Sequence, residues 1–240
     1  MGDAAYESVL RQRFEAIRGR ISARARACGR APEEITLVSV SKTHPVVTLR
    51  MALEIGVTDL GENRVQEADG KIVELGRATA RWHLIGHLQK NKAHRAVKLF
   101  DVIHSLDSIS LTHRLDRFCA EEGREELPVL IQVDLAGEET KSGVPEEEVT
   151  KLAESVNNSS RLRLRGLMTL PPLLADLEQV RPYFRRLREL RDEFQSRGSF
   201  GEMQGELSMG MSHDFEVAIE EGATMLRIGT AIFGERSPGS

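Results

Sequence analysis

The chain has 240 residues, of which 40% are hydrophobic and 29% charged, as in a soluble globular protein that buries a full core. Its formal net charge of −4 argues against a general nucleic-acid-binding protein, which would carry a basic excess. The two cysteines, Cys28 and Cys119, have no paired spacing, so we expect free thiols in a reducing cytosol.

The amino-terminal stretch MGDAAYESVLRQRFEAI is charged throughout and has no apolar segment typical of a secretory signal. No stretch approaches the roughly 18 apolar residues of a membrane span. We therefore expect a cytoplasmic protein with no membrane partner. Residues 1–236 are predicted to form a single domain, and the last residues, 237–240 (SPGS), a disordered tail.

An opening helix precedes a regular alternation of strand-like and helix-like segments. Leu10, Phe14, Ile17 and Ile21 form an apolar stripe on this helix, which should end at Cys28–Gly29. The strand-like segments are 35–42, 57–63, 81–89, 101–108, 127–136, 162–170, 205–212 and 224–234. Strands that alternate with helices imply a parallel sheet, and eight such units predict a closed (β/α)₈ barrel of the TIM type with an additional N-terminal helix. A doubly wound open sheet is the alternative.

Polar, small or charged residues recur at the carboxyl ends of these strands, where such barrels place their chemistry. In chain order they are Lys42, Glu62–Asn63, Gly86–His87, Ser105 and Asp107, Asp134, Met168–Thr169, Ser208 with Gly210 and Ser212, and Arg227 with Gly229–Thr230. Any one of them could simply mark the change from strand to loop. Eight in succession favour a functional site at this end of the barrel.

The first of these residues, Lys42, ends the strand in VSVSKTHPV, where a lysine rarely stands without a partner or a task. In a partly desolvated pocket the pKa of a lysine falls, and its amine can form a Schiff base with a carbonyl. Glycines and hydroxyls in SMGMSHDF and RIGTAIFG, after the last two strands, are typical of a phosphate site, although they could serve only tight turns. Pyridoxal 5′-phosphate, which is both an aldehyde and a phosphate ester, fits this pair of features. A lysine-dependent phosphosugar aldolase stays open.

Longer motifs resemble one known family, the pyridoxal phosphate homeostasis proteins. SVSKTHP, LGENRVQE, WHLIGHLQKNK, HSLDS, LRGLMTL and LSMGMSHDFEVAIEEGATMLRIGTAIFGER follow in order from about residue 35 to residue 236. The resemblance implies the barrel of the alanine racemase N-terminal domain and binding of pyridoxal phosphate without an established catalytic activity. It also implies that Lys42 forms the internal aldimine, and that Ser208, Gly229 and Thr230 hold the phosphate.

The same resemblance implies three further contacts. Arg227 would face the pyridine nitrogen, Met168 would pack by the ring, and Asn63 would lie near the cofactor. His44 and Arg64 stand where the family often has lysine and tyrosine. We assign no role to these two positions.

Arg227 also bears on activity. Enzymes that use pyridoxal phosphate as an electron sink commonly place a carboxylate at the pyridine nitrogen, and a guanidinium cannot accept that proton. Racemases tolerate an arginine there, but in the alanine racemase family a tyrosine from a further domain supplies a second acid or base. The tyrosines of this chain, Tyr6 and Tyr183, fall in predicted helices.

We therefore expect a monomeric carrier or regulator that stores, delivers or buffers pyridoxal phosphate. We also expect transient interactions with apo-enzymes that depend on this cofactor. A pyridoxal phosphate enzyme acting on amino acids, such as a weak racemase, is the alternative.

Three patterns with other interpretations are set aside. His83 and His87 would lie about 13 Å apart along a strand, so no metal site is expected. The run RPYFRRLRELRDEFQSR carries interspersed acidic residues, typical of a solvated helix face rather than a nucleic-acid site. Lys141, in the loop after the fifth strand, could dock the aldehyde transiently, but an exposed loop lysine is the simpler interpretation.

Overall fold

The computed structural model of the chain describes residues 3–137 and 142–235. Its first helix, α1 (Asp3–Ala27), buries the predicted apolar stripe and lies against the rest of the fold. Gly29 takes a φ of +71°, and the Arg30 amide donates to the Ala25 carbonyl at 2.9 Å. This closes the last helical turn as the Cys28–Gly29 pair predicted.

Within the described residues, eight parallel strands form a barrel. They are β1 (Thr36–Val40), β2 (Asp59–Glu62), β3 (Arg81–Leu84), β4 (Val102–Leu106), β5 (Leu127–Asp134), β6 (Leu162–Met168), β7 (Glu206–Ser208) and β8 (Met225–Ile228). Strands adjacent in sequence pair with each other, and β8 pairs with β1. This closure confirms the (β/α)₈ barrel and contradicts the open doubly wound sheet. A two-residue strand, Val144–Pro145, extends the pairing of β5.

Helices follow the strands in regular alternation. They are α2 (Val46–Glu54), α3 (Val65–Leu75), α4 (Ala93–Leu99), α5 (Ile109–Glu121), α6 (Val149–Asn157), α7 (Arg181–Ser196), α8 (Phe215–Glu220) and α9 (Thr230–Phe233). The last strand is shorter than predicted, because the amides of Ile232 and Phe233 both donate to the Gly229 carbonyl at 2.9 Å and turn the chain into α9. Across the described residues, no helix combines the length and apolar character needed to cross a membrane.

The core has two apolar parts, because side chains alternate between the two faces of each strand. The larger part lies between strands and helices and includes Trp82, Phe100, Phe184 and Phe215. The smaller part lies on the inner face of the barrel and consists of Val102, Leu130, Met168 and Met225.

Polar side chains form the next layer of the barrel interior. Two residues beyond Val102 and Met225, towards the carboxyl ends of their strands, the inner face carries His104 and Arg227. The apolar layer therefore supports a polar layer close to the rim. Lys141 and residues 237–240 lie outside the described residues, so the predictions for them are untested. A single domain over residues 1–236 also stays a prediction.

Candidate functional site

The predicted site residues lie at one end of the barrel. Lys42 stands two residues after β1, Asn63 directly follows β2, and Gly229 directly follows β8. Met168 and Ser208 are the last residues of β6 and β7. Because parallel strands of a closed barrel end on the same side, these residues surround one rim.

Lys42 lies in the turn after β1 and is partly buried. The next residue, Thr43, has a φ of +68°, and it is the one non-glycine residue with positive φ in the described part of the chain. This conformation is unfavourable for a β-branched residue, so neighbouring contacts must hold it. The Glu67 carboxylate provides such a contact by accepting a hydrogen bond from the Thr43 amide.

A buried group of charges lies beside this turn, on the helix-facing side of the barrel. Lys71 Nζ donates to the Ser41 carbonyl at 2.8 Å and to Glu62 Oε1 and Glu67 Oε1 at 2.7 Å each. The Ser41 hydroxyl donates to the same Glu62 oxygen at 2.7 Å. We call Glu62, Glu67 and Lys71 the Lys71 cluster. It binds the backbone on both sides of Lys42.

The Lys71 cluster is well shielded from solvent. The side chain of Glu62 is fully buried and that of Lys71 is 7% exposed. Burial raises the pKa of Glu62, and the neighbouring Lys71 ammonium opposes that rise. A buried carboxylate needs such a cation, so the two residues depend on each other.

Asn63 lies against the turn after β3, next to the end of β4. A Cβ atom at Gly86 would stand 2.4 Å from the Asn63 carbonyl oxygen, so this close approach requires glycine. The Ser105 hydroxyl donates to the Gly86 carbonyl at 2.7 Å, and the Ile85 amide donates to the Glu62 carbonyl at 2.9 Å. These contacts hold the turns after β2 and β3 and the end of β4 together.

Arg227 is buried inside the barrel below the rim. Its Nη1 donates to Ser208 Oγ at 2.6 Å and its Nη2 to the Thr169 carbonyl at 2.8 Å. Burial lowers its pKa to about 10, although the charge of Asp214 acts in the opposite direction. In the described residues its hydrogen-bond acceptors are neutral, and a guanidinium has five N–H donors. Donors therefore remain for an acceptor placed above it.

Hydrogen bonds continue from Ser208 across the barrel interior. Ser208 Oγ lies 2.8 Å from His104 Nδ1, and His104 Nε2 lies 2.9 Å from His83 Nδ1. His83 Nε2 then lies 2.9 Å from Asp59 Oδ1. Burial lowers the pKa of His83 and places that of His104 well below its usual value. Burial of Asp59 acts to raise its pKa, but the hydrogen bonds it accepts outweigh this and lower it.

The two histidines considered for a metal site lie in different environments. His83 lies inside the barrel, whereas the His87 side chain is 50% exposed and contacts Asp107 at 2.9 Å. His87 follows β3 instead of lying in it, which corrects the predicted strand 81–89. No group of three or more metal-binding side chains occurs in the ranges 3–137 and 142–235.

The Ser212 hydroxyl lies beside the loop after β8. Its Oγ accepts a hydrogen bond from the Ala231 amide at 3.3 Å, which places it beside Gly229 and Thr230. Ser208, to which the resemblance gives the phosphate, is the last residue of β7 and is fully buried. Ser212 is one of the hydroxyl residues of SMGMSHDF that are typical of a phosphate site, although the resemblance names Ser208 from this segment.

The tyrosines lie on helices, as predicted. Tyr6 is on α1, where its hydroxyl donates to the Phe233 carbonyl at 3.1 Å, and Tyr183 is on α7. Met168 belongs to the inner apolar cluster directly below the rim. The rim thus combines an amine, a buried cation and a loop with hydroxyls, which suits a ligand with a carbonyl, an acceptor nitrogen and an anionic group.

Comparisons with known proteins identify the family of this chain. Residues 14–237 match the family described as the N-terminal domain of alanine racemase. The pyridoxal phosphate homeostasis protein of Aquifex aeolicus is 43% identical over 225 residues, which cover 94% of this chain and 97% of that protein. That of Escherichia coli K12 is 43% identical over 226 residues, covering 92% and 94%.

Solved structures show the same fold. PipY of Synechococcus elongatus PCC7942, determined with pyridoxal phosphate bound, is 36% identical, with a TM-score of 0.79 over 94% of this chain and 100% of that one. An alanine racemase of Clostridium difficile is 17% identical, with a TM-score of 0.72 over 97% of this chain and 58% of that one. At that identity the likeness concerns the fold alone.

Proposed function

The chain belongs to the alanine racemase N-terminal domain family and, within it, to the pyridoxal phosphate homeostasis proteins; from this premise we propose that it binds pyridoxal phosphate and acts in the homeostasis of that cofactor. The observation that carries the proposal is the buried guanidinium of Arg227, held below the rim by neutral acceptors with donors to spare. A neutral pyridine nitrogen is an acceptor of the kind this group lacks.

The other residues of the rim fit the remaining parts of the cofactor. Bound pyridoxal phosphate supplies a reactive aldehyde and an electron-withdrawing ring. Lys42 would bind the aldehyde covalently through its ε-amine, from a turn that the Lys71 cluster holds in place. Met168 would support the ring from below, and Asn63 would lie at the adjacent turn.

The phosphate is assigned to the loops after β7 and β8. The resemblance implies Ser208, Gly229 and Thr230 as the phosphate ligands. We propose that Gly229 and Thr230 hold the phosphate together with Ser212, in place of Ser208. Ser212 is partly exposed and its hydroxyl lies at the start of α9, whereas Ser208 is fully buried and contacts Arg227 and His104. Hydroxyl and backbone N–H donors in such loops are common phosphate ligands.

Storage, delivery or buffering of the cofactor agrees better with this site than turnover of amino acids. The Arg227 guanidinium cannot take up the proton of a pyridinium, so it does not assist the ring as an electron sink. The Tyr6 hydroxyl, a candidate second acid or base, is bound to the Phe233 carbonyl between α1 and α9. We propose a cytoplasmic monomer that passes the cofactor to apo-enzymes in transient encounters.

Covalent trapping tests the binding proposal. The protein is incubated with pyridoxal phosphate, reduced with borohydride and mapped by mass spectrometry. We expect one pyridoxyl group on Lys42, absent from Lys42→Ala and present in Lys90→Ala, which removes an exposed lysine that follows β3. Labels scattered over surface lysines, or none, would contradict the proposal.

Proton exchange separates a carrier from an enzyme. The loaded protein is mixed with amino acids in D₂O, and loss of the α-proton signal is followed by NMR. A carrier should exchange no faster than an equal concentration of free pyridoxal phosphate. Faster exchange that disappears in Lys42→Ala would identify an enzyme. The molar mass of the same sample, measured by light scattering, tests whether the protein is a monomer. Delivery is tested by mixing the loaded protein with an apo-enzyme and measuring whether the activity of that enzyme is restored.

A further inference from the structure

A series of buried hydrogen bonds connects Arg227 with the opposite end of the barrel. Arg227, Ser208, His104, His83 and Asp59, which we call the interior network, are joined by four contacts of 2.6 to 2.9 Å. They come from five different strands. Ser208, His104 and His83 are fully buried, so their hydrogens have few other partners.

The two ends of the interior network determine where its hydrogens lie. A guanidinium has only donors and a carboxylate only acceptors, so Arg227 donates to Ser208 and Asp59 accepts from His83. The single hydroxyl hydrogen of Ser208 can then go to His104 Nδ1. His104 in turn donates from Nε2 to His83 Nδ1, and His83 donates from Nε2 to Asp59. Each contact receives one hydrogen, with both imidazoles neutral.

The opposite arrangement of the central contacts requires one more proton. If His104 donated from Nδ1 to Ser208, its Nε2 would have to accept from His83 Nδ1. His83, which also donates to Asp59, would then be a buried imidazolium. Burial lowers the pKa of His83 and outweighs the hydrogen bond and charge of Asp59, which raise it; the charge of Arg81 also lowers it. The net shift opposes the imidazolium. The charges of Arg227 and Arg81 act in the same direction on His104.

We infer that the interior network runs in one direction, from Arg227 to Asp59, with both histidines neutral and protonated on Nε2, and that Ser208 acts as a positioning residue for Arg227. The Ser208 hydrogen is then committed to His104, and the oxygen is left to accept from Arg227 Nη1. This directs the guanidinium towards the rim and leaves its other donors for a ligand. The second half of the inference rests on the proposed function, because it assumes that the guanidinium faces a ligand.

Nitrogen NMR of the ligand-free protein tests the direction of the network. Histidine is labelled with ¹⁵N, and long-range proton–nitrogen spectra identify the protonated nitrogen of each ring. Variants His83→Gln and His104→Gln assign the two rings among the seven histidines. We expect both rings to carry hydrogen on Nε2 and a bare Nδ1 at neutral pH. A hydrogen on Nδ1 of either ring would overturn the inference, whether or not the protein binds pyridoxal phosphate.

Ligand release tests the role of Ser208. Ser208→Ala should raise the dissociation rate of pyridoxal phosphate about ten-fold, as expected for the loss of a hydrogen bond to a charged group. The matched control is Ser39→Ala, which removes a buried hydroxyl of β1 that has no hydrogen-bond partner among the described residues. This control should leave the release rate unchanged.

A spectroscopic signature separates positioning from a general loss of structure. In Ser208→Ala the Nδ1 resonance of His104 should shift because it loses its donor, while Nε2 stays protonated. An unchanged release rate in Ser208→Ala would refute the positioning role. If the unaltered protein did not bind pyridoxal phosphate at all, the proposed function would fail, while the NMR result would still decide the direction of the network.

Discussion

Replacing Lys71 with methionine should destabilise the fold by about 3–5 kcal/mol at slightly alkaline pH, the usual cost of removing one partner of a buried ion pair. Methionine preserves most of the apolar stem but removes the ammonium that bonds Ser41, Glu62 and Glu67. The fully buried Glu62 carboxylate would then keep only the Ser41 hydroxyl as a close donor. The large loss of stability comes from the buried Glu62 carboxylate, which is left without its cation.

The destabilisation of Lys71→Met should depend on pH in a defined direction. Burial already raises the pKa of Glu62 in the folded chain, and Lys71 limits the rise, so its removal should raise that pKa further. A carboxyl with a raised folded pKa supports folding when protonated and loses that contribution as pH rises through the folded pKa. The penalty should therefore be small near about pH 5 and large near about pH 8.

Urea unfolding followed by circular dichroism at both pH values measures this difference. Lys98→Met is the matched control, because Lys98 pairs with Glu122 at 2.9 Å but is 38% exposed, and should cost less than about 1 kcal/mol. The double variant Lys71→Met/Glu62→Gln should recover much of the lost stability. A loss below about 1 kcal/mol for Lys71→Met, or one independent of pH, would refute the reasoning from a buried ionised Glu62.

Three further outcomes follow from the structure. Gly86→Ala should cost about 1–3 kcal/mol, because the added methyl meets backbone, whereas Gly70→Ala, with open space inside α3, should gain about 0.5–1 kcal/mol in the same unfolding assay. One thiol per folded chain should react rapidly with a disulfide reagent, because Cys28 is exposed and burial raises the pKa of Cys119 to about 11. Rapid reaction of two thiols per chain would contradict this. Burial lowers the pKa of His104, so the neutral ring contributes to stability at neutral pH and this contribution is lost in acid. In His104→Gln the free energy of unfolding should therefore fall less steeply below about pH 6.5 than in the unaltered protein. An equal pH dependence in both proteins would argue against a buried neutral His104.

Local patterns were sufficient to predict the order of elements. The periodicity of α1 and the alternation of strands with helices depend on residues close in sequence, and both are confirmed. The strand predicted over 224–234 is too long, because an apolar run does not reveal that two amides turn back onto the Gly229 carbonyl. Periodicity alone cannot separate a short helix from the end of a strand.

The internal contacts of the site were less accessible to sequence reasoning. The spacing of Glu67 and Lys71 is that of a helical ion pair, but nothing nearby in sequence shows that Glu62 completes the cluster from β2. Ser208 and Ser212 stand four residues apart and look equivalent at the end of a strand. Burial separates them, and burial depends on contacts distant in sequence.

The turn that contains Lys42 and the buried side chain of Arg227 are held by different sets of contacts, on opposite faces of the barrel wall. The Lys71 cluster reaches Lys42 from the helix-facing side, whereas the interior network reaches Arg227 from within. Substitutions in one set can therefore accumulate without disturbing the other. Such modularity would let evolution alter Arg227, the residue proposed to face a bound ring, while Lys42, the proposed covalent anchor, is retained.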